Sequence, residues 1–130
     1  MAEDPRAQFK RWLESGEARL QPVTLPQREL WETSPVPVAD PANHICGVIE
    51  IKGPITPEQC EVALQRVIER QEALRISFLP GKERPLQMIR ATGTAVLGVR
   101  ELAAGESLED AMLETYRQPF DLLQGPLHRV

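Results

Sequence analysis

The chain has 130 residues and 42% hydrophobic content, enough for one domain with one core. Fifteen basic against nineteen acidic residues give a net charge of -4, which argues against a basic nucleic-acid surface and is too mild for an acidic or disordered tail. No apolar run approaches a membrane span, and Met1-Ala2-Glu3-Asp4-Pro5 lacks an apolar signal core, so a cytoplasmic protein is expected.

Asp4-Pro5 opens the first helix: Asp caps, and Pro is tolerated in the next position. Phe9, Trp12 and Leu13 share one face, and Ser15-Gly16 ends the helix. Such a helix packs its aromatic side on its own domain or docks a partner; the first is the rule. The chain divides into residues 1–23, a helix and linker, and 24–130, the folded remainder. Thr24-Leu25-Pro26-Gln27 is a capping box, and Leu30 and Trp31 follow on one side of a short helix. Pro35, Pro37 and Pro41 keep the next segment extended.

Ile45 to Ile51 is apolar on both faces and predicts a central, buried strand. Gly53-Pro54 ends it. Thr56-Pro57-Glu58-Gln59 is a second capping box, and Cys60, Ala63, Leu64, Val67, Ile68 and Leu74 recur at helical spacing behind it. At Arg70-Gln71-Glu72-Ala73-Leu74-Arg75-Ile76-Ser77-Phe78 the period changes from helix to strand. By charge pattern alone, Arg70 and Arg75 are cations that complement a helix C-terminus. Arg75 to Leu79 and Leu86 to Arg90 make a hairpin across Pro80–Pro85. Val96 to Leu102 is a strand weakened by Gly98. Ser107 caps a last helix that Pro119 ends, and Leu127 to Val130 reads as the start of a strand. The fold class is therefore α+β, a mixed sheet with helices packed on it.

No Gly-rich phosphate loop and no nucleophile elbow is present. Cys46 and Cys60 read as buried thiols, one on a strand and one on a helix, and no Cys/His cluster suggests a metal. His44 and His128 have no sequence partner that would orient either as a base, and a structural role is the simpler reading.

Three segments, in order, carry a resemblance. Thr24-Leu25-Pro26-Gln27-Arg28-Glu29-Leu30-Trp31 resembles the opening motif of nonribosomal peptide synthetase condensation domains, Ser/Thr-x-Ala-Gln-x-x-Leu-Trp. Arg70 to Phe78 resembles their second motif, Arg-His-Glu-x-Leu-Arg-Thr-x-Phe, with Gln71 for His and Ile76 for Thr. Pro119-Phe120-Asp121-Leu122 with Gly125-Pro126-Leu127-His128-Arg129 is similar to the Pro-Phe-Asp-Leu-x-x-Gly-Pro-Leu-x-Arg segment. The matching motif residues are Gln27, Leu30, Trp31, Glu72, Leu74, Phe78, Phe120 and Asp121.

The resemblance implies the N-terminal lobe of a chloramphenicol acetyltransferase-like fold, truncated before the His-His-x-x-x-Asp-Gly catalytic motif. It implies a parent enzyme that joins a carrier-bound acyl or aminoacyl thioester donor to an amine. Phosphopantetheine would ride on partner carrier domains, with none bound by this chain directly. The partners implied are those carriers and the rest of the synthetase, including a C-terminal lobe. Arg70 and Arg75 would support the catalytic loop through an ion pair to its Asp; without that Asp one or both would be left without the intended partner, free in solvent or re-paired with Glu69 or Glu72. No catalytic residue is expected in the 130 residues themselves, and the piece alone is expected to be inactive. Dimerisation through the exposed lobe surface is an expectation that follows. The alternative is a non-catalytic docking module for a carrier or partner synthetase, with the helix at Asp4–Gly16 as its support.

Overall fold

The computed structural model describes residues 4–33 and 41–130; the expectation that Pro35 and Pro37 hold an extended segment lies outside the described residues. Four helices are described: α1 (Pro5–Ser15), α2 (Leu25–Thr33), α3 (Pro57–Arg70) and α4 (Leu108–Arg117). Their starts are where the sequence puts them. Asp4 accepts from Arg6 N, Thr24 and Gln27 exchange both bonds of a capping box, as do Thr56 and Gln59, and Ser107 accepts from Asp110 N. Gly16 ends α1 with φ 77°, a left-handed conformation that suits a residue without Cβ.

Three strands form one antiparallel sheet in the order β1-β3-β2: β1 (Ala18–Pro22), β2 (Ile76–Leu79) and β3 (Leu86–Arg90). The hairpin β2–β3 follows the sequence reading, with Leu79 opposite Leu86. β1 falls in the stretch expected to be linker. It pairs along its whole length with β3, from Ala18 opposite Arg90 to Pro22 opposite Leu86, so the central strand is β3, with Gln87, Met88 and Ile89 buried. α1 packs beside β1. Its Phe9, Trp12 and Leu13 are half-buried, and the Arg90 guanidinium lies 5.2 Å from the Trp12 ring centroid.

Several expectations fail. The sheet is antiparallel rather than mixed. Ile45–Ile51 is not a strand, and its apolar side chains face out: Ile45 is 101% and Ile49 86% exposed. Strand propensity does not make a strand without a neighbouring backbone to pair with. Cys46 is accordingly exposed rather than buried, while Cys60 on α3 is half-buried, and both thiols are free. Val96–Leu102 and Leu127–Val130 are likewise outside the sheet. One contact links them: Val130 N donates to Val96 O at 2.9 Å, and Gly98 N donates to Val130 O at 2.7 Å. A residue bonded to both neighbours of one residue on the facing chain, here Leu97, has the parallel-strand pattern.

The helix-to-strand junction is shorter than its hydrophobic pattern. α3 stops at Arg70, a 3-10 turn covers Glu72–Arg75, and Leu74 belongs to that turn. Ile68, wholly buried, is the one side chain of α3 in the core. The accessible surface is 10168 Å², against about 6,900 Å² for a compact monomer of this mass.

Candidate functional site

The resembling segments meet around a cavity of about 490 Å³. α2 supplies Gln27, Leu30 and Trp31, and β2 supplies Phe78. Thr115 and Tyr116 come from the end of α4, and Phe120, Leu122 and Leu127–Arg129 from the chain after it. Asn43–Gly47 close the remaining wall. A volume of this size, mostly apolar with a few polar groups, is in the usual range of small-molecule sites.

The wall is held from below by side-chain amides. Gln27 Oε1 accepts from Thr24 N at 2.8 Å, which caps α2, while its Nε2 donates to Gln87 Oε1 at 3.2 Å. Gln87, buried on β3, passes the chain on: its Nε2 donates to Pro22 O at 2.9 Å. One helix cap, the central strand and the end of β1 are thus joined through two glutamines. Trp31 meets Phe78 with ring centroids 6.0 Å apart and tilted by 48°.

Aromatic rings surround His44. Its centroid lies 5.7 Å from Tyr116 and 5.0 Å from Phe120, both edge-on. His44 Nδ1 is 2.8 Å from the Tyr116 carbonyl oxygen; a carbonyl only accepts, so the proton sits on Nδ1. Tyr116 OH donates to Pro41 O at 2.8 Å. His128 stands on the same wall. Both its ring nitrogens are buried without a hydrogen-bond partner among the described residues, as is Ser77 Oγ. Burial pushes the His128 pKa below the usual imidazole value, and the nearby Leu74 backbone offsets this only in part. In the sequence the two histidines look isolated. They share a cavity because the chain folds residues 44 and 128 to one place, and no spacing rule reaches that far.

Arg75 does not face the cavity. Its Nη1 donates to Ile68 O at 2.7 Å and Glu69 O at 2.9 Å, and its Nε donates to Arg90 O at 2.9 Å. One guanidinium thus takes up carbonyls at the end of α3 and ties them to the end of β3. The expectation of free solvent or a carboxylate partner is corrected for Arg75: the atoms it meets are backbone oxygens. Arg70 is exposed, and its side chain has no partner among the described residues. Glu72 pairs with Arg19 at 2.7 Å; that hydrogen bond draws its carboxyl below the usual range. Leu74 is half-buried beside it. Asp121 caps a turn: its Oδ1 accepts from Leu123 N at 2.9 Å and Gln124 N at 3.0 Å.

Arg129 repeats the device of Arg75. It donates to Thr115 O, Gln118 O and Pro119 O at 3.4, 3.0 and 2.8 Å, and its guanidinium carbon lies 4.0 Å from the Phe120 ring centroid. So Gln27, Leu30, Trp31, Phe78 and Phe120 line one cavity, while Arg70, Arg75, Glu72, Leu74 and Asp121 lie outside it. Among the described residues no group of three His, Cys, Asp or Glu could hold a metal ion, and no helix is long and apolar enough to cross a membrane.

Helices and a small sheet that gather three separated motif segments at one cavity define a class. The Condensation domain family model matches residues 17–130, and the chain belongs to that family. It is 28% identical over 130 residues to tyrocidine synthase 3 of Brevibacillus parabrevis, covering 100% of this chain and 2% of that protein. It is 28% identical over 108 residues to a plipastatin synthase of Bacillus subtilis (strain 168), covering 83% of this chain and 4% of that protein. With gramicidin S synthase 2 of Brevibacillus brevis it shares 29% over 117 residues, 88% of this chain and 2% of that protein. The chain therefore spans a few per cent of the length of these relatives.

Proposed function

We propose that the chain is the N-terminal lobe portion of a condensation domain in a nonribosomal peptide synthetase, with the chloramphenicol acetyltransferase-like lobe architecture. In the whole protein that domain joins a carrier-bound acyl or aminoacyl thioester to an amine and makes an amide. Phosphopantetheine on the carriers presents both substrates, and the carriers and the remaining synthetase are the partners. The observation that carries this reading is the convergence of Gln27, Leu30, Trp31, Phe78 and Phe120, from three motif segments, on one cavity within a chain whose family match spans residues 17–130.

In this reading the motif residues described here hold and shape the cavity. Arg75 fixes the helix-to-strand junction, and in the complete domain it supports the catalytic loop through that junction. Condensation requires donor and acceptor at one point, and the proximity this supplies depends on a complete channel. A single-turnover assay with loaded donor and acceptor carriers tests the reading. The complete domain should form amide, and the 130-residue piece should give none above a no-protein control. Amide from the piece alone, or none from the complete domain with any carrier pair of its own synthetase, overturns it.

A further inference from the structure

Most polar side chains on the wall of the cavity of about 490 Å³ are already committed. Gln27 bonds Thr24 N and Gln87, Thr115 Oγ1 donates to Ala111 O at 3.2 Å, and Tyr116 OH donates to Pro41 O. The Arg129 guanidinium is taken up by the carbonyls of Thr115, Gln118 and Pro119, and Asn43 is engaged as well. His44 differs. Its Nδ1–H is held by Tyr116 O at 2.8 Å, so the acceptor lone pair lies on Nε2. Nε2 has no partner among the described residues, and, unlike the ring nitrogens of His128 and the Oγ of Ser77, it is within reach of water. The cavity wall thus carries an open acceptor. Tyr116 and Phe120 meet the His44 ring edge-on at 5.7 and 5.0 Å and fix its plane, so the lone pair is aimed before any ligand arrives.

We propose that this cavity binds a neutral phenol, its ring against Trp31 and Phe120 and its hydroxyl donating to His44 Nε2. The rest of the wall is apolar, with Leu30, Phe78, Leu122 and Leu127. An apolar cavity of about 150 Å³ is enough for one benzene ring, so this one has room for a ring and its substituents. Aromatic rings on the wall favour an aromatic body over an aliphatic one of equal area. One oriented acceptor calls for one donor. A carboxylate would bring only further acceptors to His44, and the Arg129 guanidinium is already bonded to backbone oxygens. An ammonium would lose its water without gaining an anion, since among the described residues no Asp or Glu lines the cavity. A hydroxyl on an aromatic ring is a good donor, carries no charge and leaves no second polar group to satisfy.

The test is an NMR titration of the 130-residue chain with p-cresol and with p-methylanisole, which keeps the ring and the oxygen but has no hydroxyl proton. p-Cresol should bind saturably, show ring-proton Overhauser contacts to Trp31 and Phe120, and shift the His44 Nε2 resonance. It should bind about fivefold tighter than p-methylanisole, the size of one net hydrogen bond. His44→Phe keeps a ring against Tyr116 and Phe120 but has no acceptor, and should erase that difference. If His44→Phe does not fold, the Nε2 resonance of the unaltered chain decides. If the 130-residue chain does not fold alone, the same titration on the complete domain decides. The proposal is overturned by the absence of saturable binding, by equal affinity for the two probes, by an unmoved Nε2 resonance, or by a preference that survives His44→Phe. Benzoate binding more tightly than p-cresol would make this an anion site and overturns it as well. None of these readings depends on condensation activity, so an inactive parent domain leaves the phenol site standing, and an empty cavity leaves the activity assay standing.

Discussion

Replacing Arg75 should loosen the end of α3. Its guanidinium donates to Ile68 O, Glu69 O and Arg90 O at 2.7, 2.9 and 2.9 Å. Hydrogen bonds from a charged donor contribute about 1.5–3 kcal/mol each when buried. Arg75 is half-buried, and the carbonyls it leaves can reach water, so the three together are worth about 2–3 kcal/mol rather than their sum. That is a large part of the roughly 5–15 kcal/mol of a typical domain. Arg75→Met keeps the aliphatic stem, which lies near Gly93, and removes only the fork. With a urea m-value of about 1.5 kcal/mol/M, the unfolding midpoint should fall by about 1.3–2 M. Arg75→Lys restores the charge near the helix end, worth about 0.5 kcal/mol, but cannot span two elements, so it should recover less than half of the loss. A midpoint shift below about 0.3 M for Arg75→Met would refute the reasoning. Full rescue by Lys would show that charge at the helix end, not the span to β3, is what matters.

Other outcomes can be stated more briefly. His128 has a folded-state pKa below its unfolded value, so the unfolded chain takes up that proton first. Stability is then complete above about pH 6.5 and falls as pH drops below it; urea midpoints measured across that range should show the slope, and His128→Leu should remove it. Gly93→Ala places a Cβ 2.9 Å from Ile68 Cγ2 and 3.0 Å from Arg75 Cγ, and should cost about 1–3 kcal/mol by crowding, read as a lower thermal midpoint. Ile68→Ala, at a wholly buried position, should cost about 3 kcal/mol. Ile45→Ser should change the stability of the 130-residue chain by less than about 0.5 kcal/mol, because that side chain is already in water.

How far the sequence can be read depends on whether a feature is local. The capping boxes at Thr24–Gln27 and Thr56–Gln59 need only neighbouring residues, and both are formed. The β2–β3 hairpin needs only a short turn and the alternation on either side of it. β1 escapes notice because Ala-Arg-Leu-Gln-Pro has little strand character; its state is set by β3, far along the chain. Ile45–Ile51 misleads in the opposite direction. Its composition is strongly strand-like, but pairing is not a property of one segment. The cavity is legible in part: the motif residues Gln27, Trp31, Phe78 and Phe120 stand out, but nothing in their order shows that they face one another. His44 and His128 join them only through tertiary folding. Arg75 stands out by its place at the change of period, yet its partners are backbone carbonyls, and those carry no sequence signal.

The pairing of β1 with β3 also bears on how the chain emerges from the ribosome. Ala18 meets Arg90 and Pro22 meets Leu86, so the earliest strand cannot find its neighbour until the hairpin arm at Leu86–Arg90 has been made. Closing so long a loop is entropically costly and slow. α3, begun by its own capping box, can form during that wait, whereas α1 lies against β1 and, through Trp12, against Arg90 of β3. During synthesis α1 and β1 therefore leave the exit tunnel before the strand that anchors them, and a nascent chain arrested before Leu86 should expose both to proteolysis while α3 is already made.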